Sequence, residues 1–266
     1  TWVTASKEAI AYYMDPRNFL DEKSIFQFEM LTYEESYQDK QGIENILKYT
    51  PLYATSYNYI DDTGAMRTIS YADTFMEAAE YTGVSPYHLA SRVKQEVVTG
   101  TSTVSNSVTG TVTGFEGLYN FYNIGAYHST AVGGAIANGL KYAKYGSTDD
   151  ELNDMSLIPW DNRYSAIVGG AYILGSTYIN RGQNTIYLQK FNVTETSTYY
   201  HQYMANVEAP YAEGKKTATA YSNLESLPIV FSIPVYLDMP EEVCTQPEPK
   251  LNPNNLLKGL TIEDME

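Results

Sequence analysis

The chain is 266 residues long, enough for one large domain, or a domain with an appendage, around a substantial core. A formal net charge of −15 works against nucleic acid and anionic lipid as long-range partners. Cys244 is the only cysteine, which excludes an internal disulfide and suits either a reducing compartment or a Gram-positive exterior. In chain order, residues 1–69 mix acidic patches with helical periodicity in "GIENILKYT", punctuated by Pro16 and Pro51. "ISYADTFMEAAEYTG" predicts a helix, with Ser70 as N-cap, Asp73 at the capping-box position and Gly83 as the stop. Ser85 caps the next helix, Pro86 occupies its first turn, and Leu89, Val93 and Val97 form an apolar stripe at i, i+4 and i+8. Glu96 follows Val93 by three, at the edge of that stripe and in the last turn. The negative end of the helix dipole and partial burial both favour a protonated carboxyl there, as a general acid requires. The bland alternative is an exposed Glu96 paired with Arg92 one turn earlier.

The following run, "TGTSTVSNSVTGTVTG", carries no charge, and the next acid is Glu116. Its β-branched residues and glycines predict a small β-hairpin or a mobile lobe. An aromatic–Asn–Gly patch comes next, "GLYNFYNIGAYHST". "AVGGAIANGLKYAKYG" and "WDNRYSAIVGGAYILGSTYINRG" predict helices with small residues for close packing, the second stopped at Gly182. From Phe231 onward prolines and acids accumulate, which predicts an extended exit and a linker. His88, His128 and His201 are too far apart for metal-ligand spacing, so no metal site is expected. No run approaches the length of a membrane span, and neither a phosphate-binding loop nor a nucleophile elbow is present. The 26 tyrosines suit both a packed core and a groove that stacks on sugar rings.

Several segments in fixed order carry a resemblance. "SRVKQEV" with "TGTS", "YNFYNIGAY", "AIVGGAYILGSTYINRGQNTIYLQKFN" and "YHQYMANVEAP", spanning residues 70–212, resemble the peptidoglycan endo-β-N-acetylglucosaminidases of glycoside hydrolase family 73. "DPRNFL", "IFQFE" and "GIENILKYTPL" resemble the region upstream of that domain in clostridial and related autolysins. The tail "NPNNLLKGLTIED" resembles the start of a small β-sandwich module. The resemblance implies a lysozyme-like α+β fold, mainly α with a small β-lobe, and a catalytic groove between the two lobes. It divides the chain into an N-terminal helical extension packed on the catalytic domain (1–69), the catalytic domain (70–232) and an extended strand and linker (233–266).

In that family's scheme Glu96 matches the general acid. The second role stays open. Glu116 could serve as base, or the acetamido oxygen of the substrate could attack, with Tyr122 or Tyr178 orienting it. Tyr119, Phe121, Tyr122 and Asn123 are expected to line the groove floor, with Gly125 admitting a close backbone. Gln183 and Tyr187 are further candidates for substrate binding. The implied reaction is hydrolysis of the β-1,4 bond between N-acetylglucosamine and N-acetylmuramic acid, with no metal or organic cofactor. The implied partner is the peptidoglycan glycan strand, met by a secreted monomer at a Gram-positive cell wall. A lytic transglycosylase and a non-catalytic wall-binding module are the alternatives.

Overall fold

The computed structural model describes residues 4–130, 132–195, 198–202, 204–221 and 227–248. The chain divides into two compact units, residues 1–19 with 234–266, and residues 20–233. The first 69 residues, expected as one extension, are therefore split after Phe19. Residues 20–69 fold together with residues 70–233. The tail expected to open a downstream module lies outside the described residues.

In the smaller unit, α1 (Lys7–Met14) starts at Ser6, whose hydroxyl accepts from the amide of Ala9. The rings of Tyr12, Tyr13 and Phe19 pack together beside it. Asp15 is buried and ion-paired with Arg17 at 2.7 Å. These two residues and Asn18 hold the returning tail. Asp15 accepts from the amide of Cys244, while Arg17 donates to the carbonyls of Glu241 and Glu242 and Asn18 to that of Cys244. Residues 234–248, expected as part of an extended strand and linker, form no helix or strand.

The larger unit begins with α2 (Lys40–Leu47), capped by Asp39. A two-stranded antiparallel sheet comes next, β1 (Ser56–Ile60) paired with β2 (Met66–Ser70) in the register Ser56↔Ser70 to Ile60↔Met66. Gly64 supplies the left-handed turn residue, and the Asp61 carboxylate accepts from the amides of Thr63 and Ala65. The remaining helices are α3 (Tyr71–Thr82), α4 (Pro86–Val97), α5 (Gly134–Tyr145), α6 (Asp150–Met155), α7 (Arg163–Thr177), α8 (Ile186–Lys190) and α9 (Ala209–Ala220).

The caps of α3 and α4 are those the sequence predicts. Ser70 accepts from Asp73, Gly83 closes α3 at φ +71°, and Ser85 accepts from His88. α3 packs along α7, α2 along α4, and α9 against the 3-10 turn Ser24–Phe28. Small residues permit these approaches. A Cβ on Gly169 would clash with the carbonyl oxygen of Ser156, and one on Gly214 would stand 2.6 Å from the amide nitrogen of Gln27.

Of the two forms expected for residues 99–118, a small hairpin or a mobile lobe, the hairpin is not formed. Residues 99–118 contain only one isolated bridge, Val98↔Val104, and a 3-10 turn, Asn106–Val108. Their hydroxyls bond locally and compete with a ladder. The Ser105 hydroxyl accepts from Ser107, and the Thr109 hydroxyl donates to the carbonyl of Asn106. Left-handed backbone at Gly110, Gly114 and Gly117 bends the rest out of strand geometry.

Candidate active site

Glu96 is the penultimate residue of α4. Leu89, Val93 and Val97 are fully buried, which sets the rotation of the helix and leaves Arg92 and Glu96 on its flank, one turn apart. The Glu96 side chain is 27% exposed. Its carboxyl is held from two sides. Arg92 Nη2 lies 3.1 Å from Oε1, and Asn123 Nδ2 donates to Oε2 at 2.8 Å and to the Glu96 main-chain oxygen at 3.3 Å. The pairing with Arg92, the bland alternative for this residue, is formed. Glu96 therefore occupies its helix end with a compensating cation rather than alone.

Asn123 reaches Glu96 because its loop is stapled underneath. Asn123 adopts φ +53°, a left-handed conformation that Asn tolerates better than most residues. Buried Asn120 fixes the turn, donating to the carbonyls of Ile124 and Gly139 and accepting from the amide of Ile124. At Gly125 a Cβ would stand 2.8 Å from that of Tyr142, so the close passage expected there is a steric requirement.

Glu96 borders an open pocket of about 770 Å³ together with Arg92, Lys94, Gln95 and, from α9, Glu213 and Lys216. Arg92 and Glu213 also line a smaller cavity of about 100 Å³ with His88, Tyr178 and Met204. Burial and the Arg92 charge push the His88 imidazole down to about 3, so it is neutral at physiological pH. Lys94 donates to the carbonyls of Ile46 at 2.8 Å and Ala220 at 2.7 Å, at the ends of α2 and α9. Beside Glu96, α4 is thereby tied to both neighbours.

The other candidates separate into three groups. Phe121, Tyr122, Gln183 and Tyr187 are corrected: they belong to the core and offer no face to a ligand. Tyr122 packs where Gly170 leaves room, Tyr187 packs against Phe28 and Phe191, and Gln183 bonds to Leu188 and His201. Their alternation of ring and amide suggests a binding surface, whereas they fill space between helices. Tyr119 and Tyr178 are half-buried. The Arg163 guanidinium covers the Tyr119 ring at 4.8 Å, and Tyr178 stacks on His201 at 4.5 Å. Glu116 is exposed and turns back on its own loop, both carboxylate oxygens 3.1 Å from the amide nitrogen of Gly114. Those backbone bonds hold its carboxyl below the ordinary value, and no recorded contact joins it to Glu96.

Glu213, Lys94 and Asn120 do not stand out in the sequence. Nothing in their local pattern distinguishes an acid on α9, a lysine on α4 or one more asparagine in an aromatic patch. Among the described residues, no group of three or more His, Cys, Asp or Glu could hold a metal, and no helix is long and apolar enough to cross a membrane.

A mainly helical unit with a small antiparallel hairpin, and a carboxyl in the last turn of a helix beside an open pocket, is a lysozyme-like architecture. Two crystal structures share the fold. A major bifunctional autolysin matches with TM-score 0.58 at 22% identity, covering 89% of this chain and 84% of that one. S. aureus glucosaminidase B matches with TM-score 0.56 at 23% identity, covering 85% and 76%. A β-N-acetylglucosaminidase of Bacillus subtilis is 28% identical over 241 residues, 88% of this chain and 23% of that protein. A bifunctional autolysin of Staphylococcus epidermidis is 26% identical over 242 residues, 88% of this chain and 16% of that protein. The chain thus spans less than a quarter of either relative. No family model matches it. In sequence and fold the chain is thus similar to parts of autolysins and a β-N-acetylglucosaminidase.

Proposed function

We propose that residues 20–233 form the catalytic unit of a peptidoglycan hydrolase. It cuts the β-1,4 bond between N-acetylglucosamine and N-acetylmuramic acid and leaves N-acetylglucosamine at the new reducing end. The observation that carries this reading is Glu96, held by Asn123 at the end of α4 beside an open pocket. Similarity to a β-N-acetylglucosaminidase and to bifunctional autolysins supports the substrate class. The same kinship supports a secreted protein acting at a Gram-positive cell wall.

The chemistry needs a proton on the leaving oxygen and stabilisation of an oxocarbenium-like carbon. Glu96 supplies the proton. For the second role the geometry favours the acetamido oxygen of the substrate over Glu116, whose carboxylate is engaged by its own loop. That oxygen attacks the anomeric carbon as the bond to the leaving oxygen breaks, forming a cyclic intermediate. Water then opens the ring, losing its proton to the Glu96 carboxylate, with net retention. Asn123 uses its amide N–H on Glu96. Its carbonyl oxygen has no recorded donor among the described residues and can accept from the acetamido N–H. Neither step calls on a metal or an organic cofactor.

Digestion of purified peptidoglycan, followed by mass spectrometry of borohydride-reduced fragments, tests the reading. Wild type is expected to release fragments ending in reduced N-acetylglucosamine. Glu96→Gln is expected to lose at least about 100-fold in rate. Equal digestion by the variant sinks the assignment of Glu96. Anhydromuramyl ends would make the protein a transglycosylase, and wall binding without soluble fragments would make it a binding module.

A further inference from the structure

The Arg92–Glu96 pair stands against the proposed chemistry. A guanidinium 3.1 Å from a carboxyl oxygen attracts negative charge, yet a proton donor must be neutral. Arg92 remains charged throughout the physiological range, so the conflict is relieved when its charge is drawn away from Glu96.

A second acceptor lies within reach. Arg92 Nη1 is 3.6 Å from Glu213 Oε2, while Nη2 of the same guanidinium faces Glu96. The two acids come from different helices, α9 and α4, and all three side chains line the same pocket. Glu213 is itself anchored. Lys216 Nζ lies 2.9 Å from its Oε1, and neighbouring Gly214 sits against the Gln27 backbone, which fixes α9 at this point.

The remaining charged and titratable groups around the pocket are otherwise occupied. Lys94 bonds to main-chain oxygens, Lys215 bonds to the Tyr211 hydroxyl, and Lys216 pairs with Glu213. His88, one turn before Arg92, is buried and neutral. Asn123, from the loop that faces Glu96, is uncharged.

We propose that Glu213 is a positioning residue: it accepts the Arg92 guanidinium so that Glu96 is freed from its ion pair and can carry the catalytic proton. This rests on the reading of Glu96 as general acid. Arg92 then divides its charge between two carboxyls.

The test is the pH profile of kcat/KM for wild type, Glu213→Gln, Arg92→Gln and the double variant. Loss of Glu213 leaves Arg92 wholly to Glu96. The alkaline limb is expected to move about 0.5–1 pH unit lower, with about 3- to 10-fold less activity on that limb. In the Arg92→Gln background the same substitution is expected to move the limb much less, because the intermediary is gone. A Glu213→Gln profile superimposable on wild type overturns the proposal. So does a uniform loss with an unmoved limb, which would mark Glu213 as merely structural. A carbon-13 NMR titration of the Glu96 carboxyl, assigned with Glu96→Gln, reads the same coupling without turnover. If wild type releases no glycan fragments, the hydrolase reading falls while the titration still decides whether Glu213 acts on Glu96 through Arg92.

Discussion

Glu29 shows how one buried acid writes a pH dependence into the whole fold. It is fully buried and accepts from the Tyr221 hydroxyl through Oε1, while Oε2 has no partner among the described residues. Burial pushes its carboxyl up to about 8, partly offset by the Tyr221 bond. The folded protein therefore keeps a proton that the unfolded chain releases above about 4.5. Between those two values unfolding is coupled to proton loss, so stability falls as pH rises through the window. Glu29→Gln keeps an acceptor for Tyr221 and removes the titration. Urea unfolding at pH 5 and pH 9 is expected to show wild type losing on the order of a few kcal/mol that the variant keeps. An equal decline in both would assign the pH dependence elsewhere.

Helix ends carry the organisation of the site. The α2 and α9 C-termini both present unsatisfied carbonyls, and Lys94 satisfies one at each with a charge of the favourable sign. Lys94→Met keeps the apolar stem and removes both bonds. It is expected to lower stability by about 2 kcal/mol, read as a shift of the urea midpoint. It should also weaken the Arg92–Glu213 alignment, since α9 loses a tie to α4. No change in the midpoint would mean that water caps both helices as well as lysine does. Elements whose signals are local were legible in the sequence: Ser70, Gly83, Ser85 and Pro86 bound α3 and α4 through contacts a few residues apart. The hairpin was not. In "SYNYIDDTGAMRTIS" apolar Ile60 and Met66 are exposed while Tyr57 alone in β1 is buried, so alternation gave little contrast. The Ser/Thr-rich run after α4 has higher strand propensity, yet its hydroxyls find local partners and its glycines turn.

Across the molecule, the two compact units draw on different interactions. The larger rests on a continuous apolar core from Phe26 and Leu31 through Phe75 and Val93 to Trp160 and Tyr221. In the smaller, polar contacts join residues 226 to 229 positions apart: Asn18 donates to the Cys244 carbonyl, and Asp15, ion-paired with Arg17, accepts from the Cys244 amide. The Arg17 guanidinium beside Asp15, with the Cys244 amide, holds its carboxyl down at about 2. Its folded value is depressed, so its contribution is complete above 3.8 and is lost as pH falls toward 2. Asp15→Asn at neutral pH is expected to speed hydrogen exchange at the Cys244 amide about 10-fold or more, because the charge-assisted acceptor is gone. Unchanged exchange would show that Arg17 and Asn18 hold the tail without Asp15.

The sequence by itself determined the helical class, the boundaries of α3 and α4 and the placing of Glu96 at a helix end, because caps and apolar stripes act over one or two turns. It also carried the family resemblance, since ordered motifs survive without knowledge of their contacts. Only the tertiary structure decided which of the candidates meet. It joined Asn123 to Glu96 across 27 positions and brought Glu213 from α9 to Arg92. It also drew Phe121, Tyr122, Gln183 and Tyr187 into the core. A ring or an amide looks the same in a groove and in a core until the neighbours that bury it are known. That burial is set by helices distant in the chain, and no local pattern reports it.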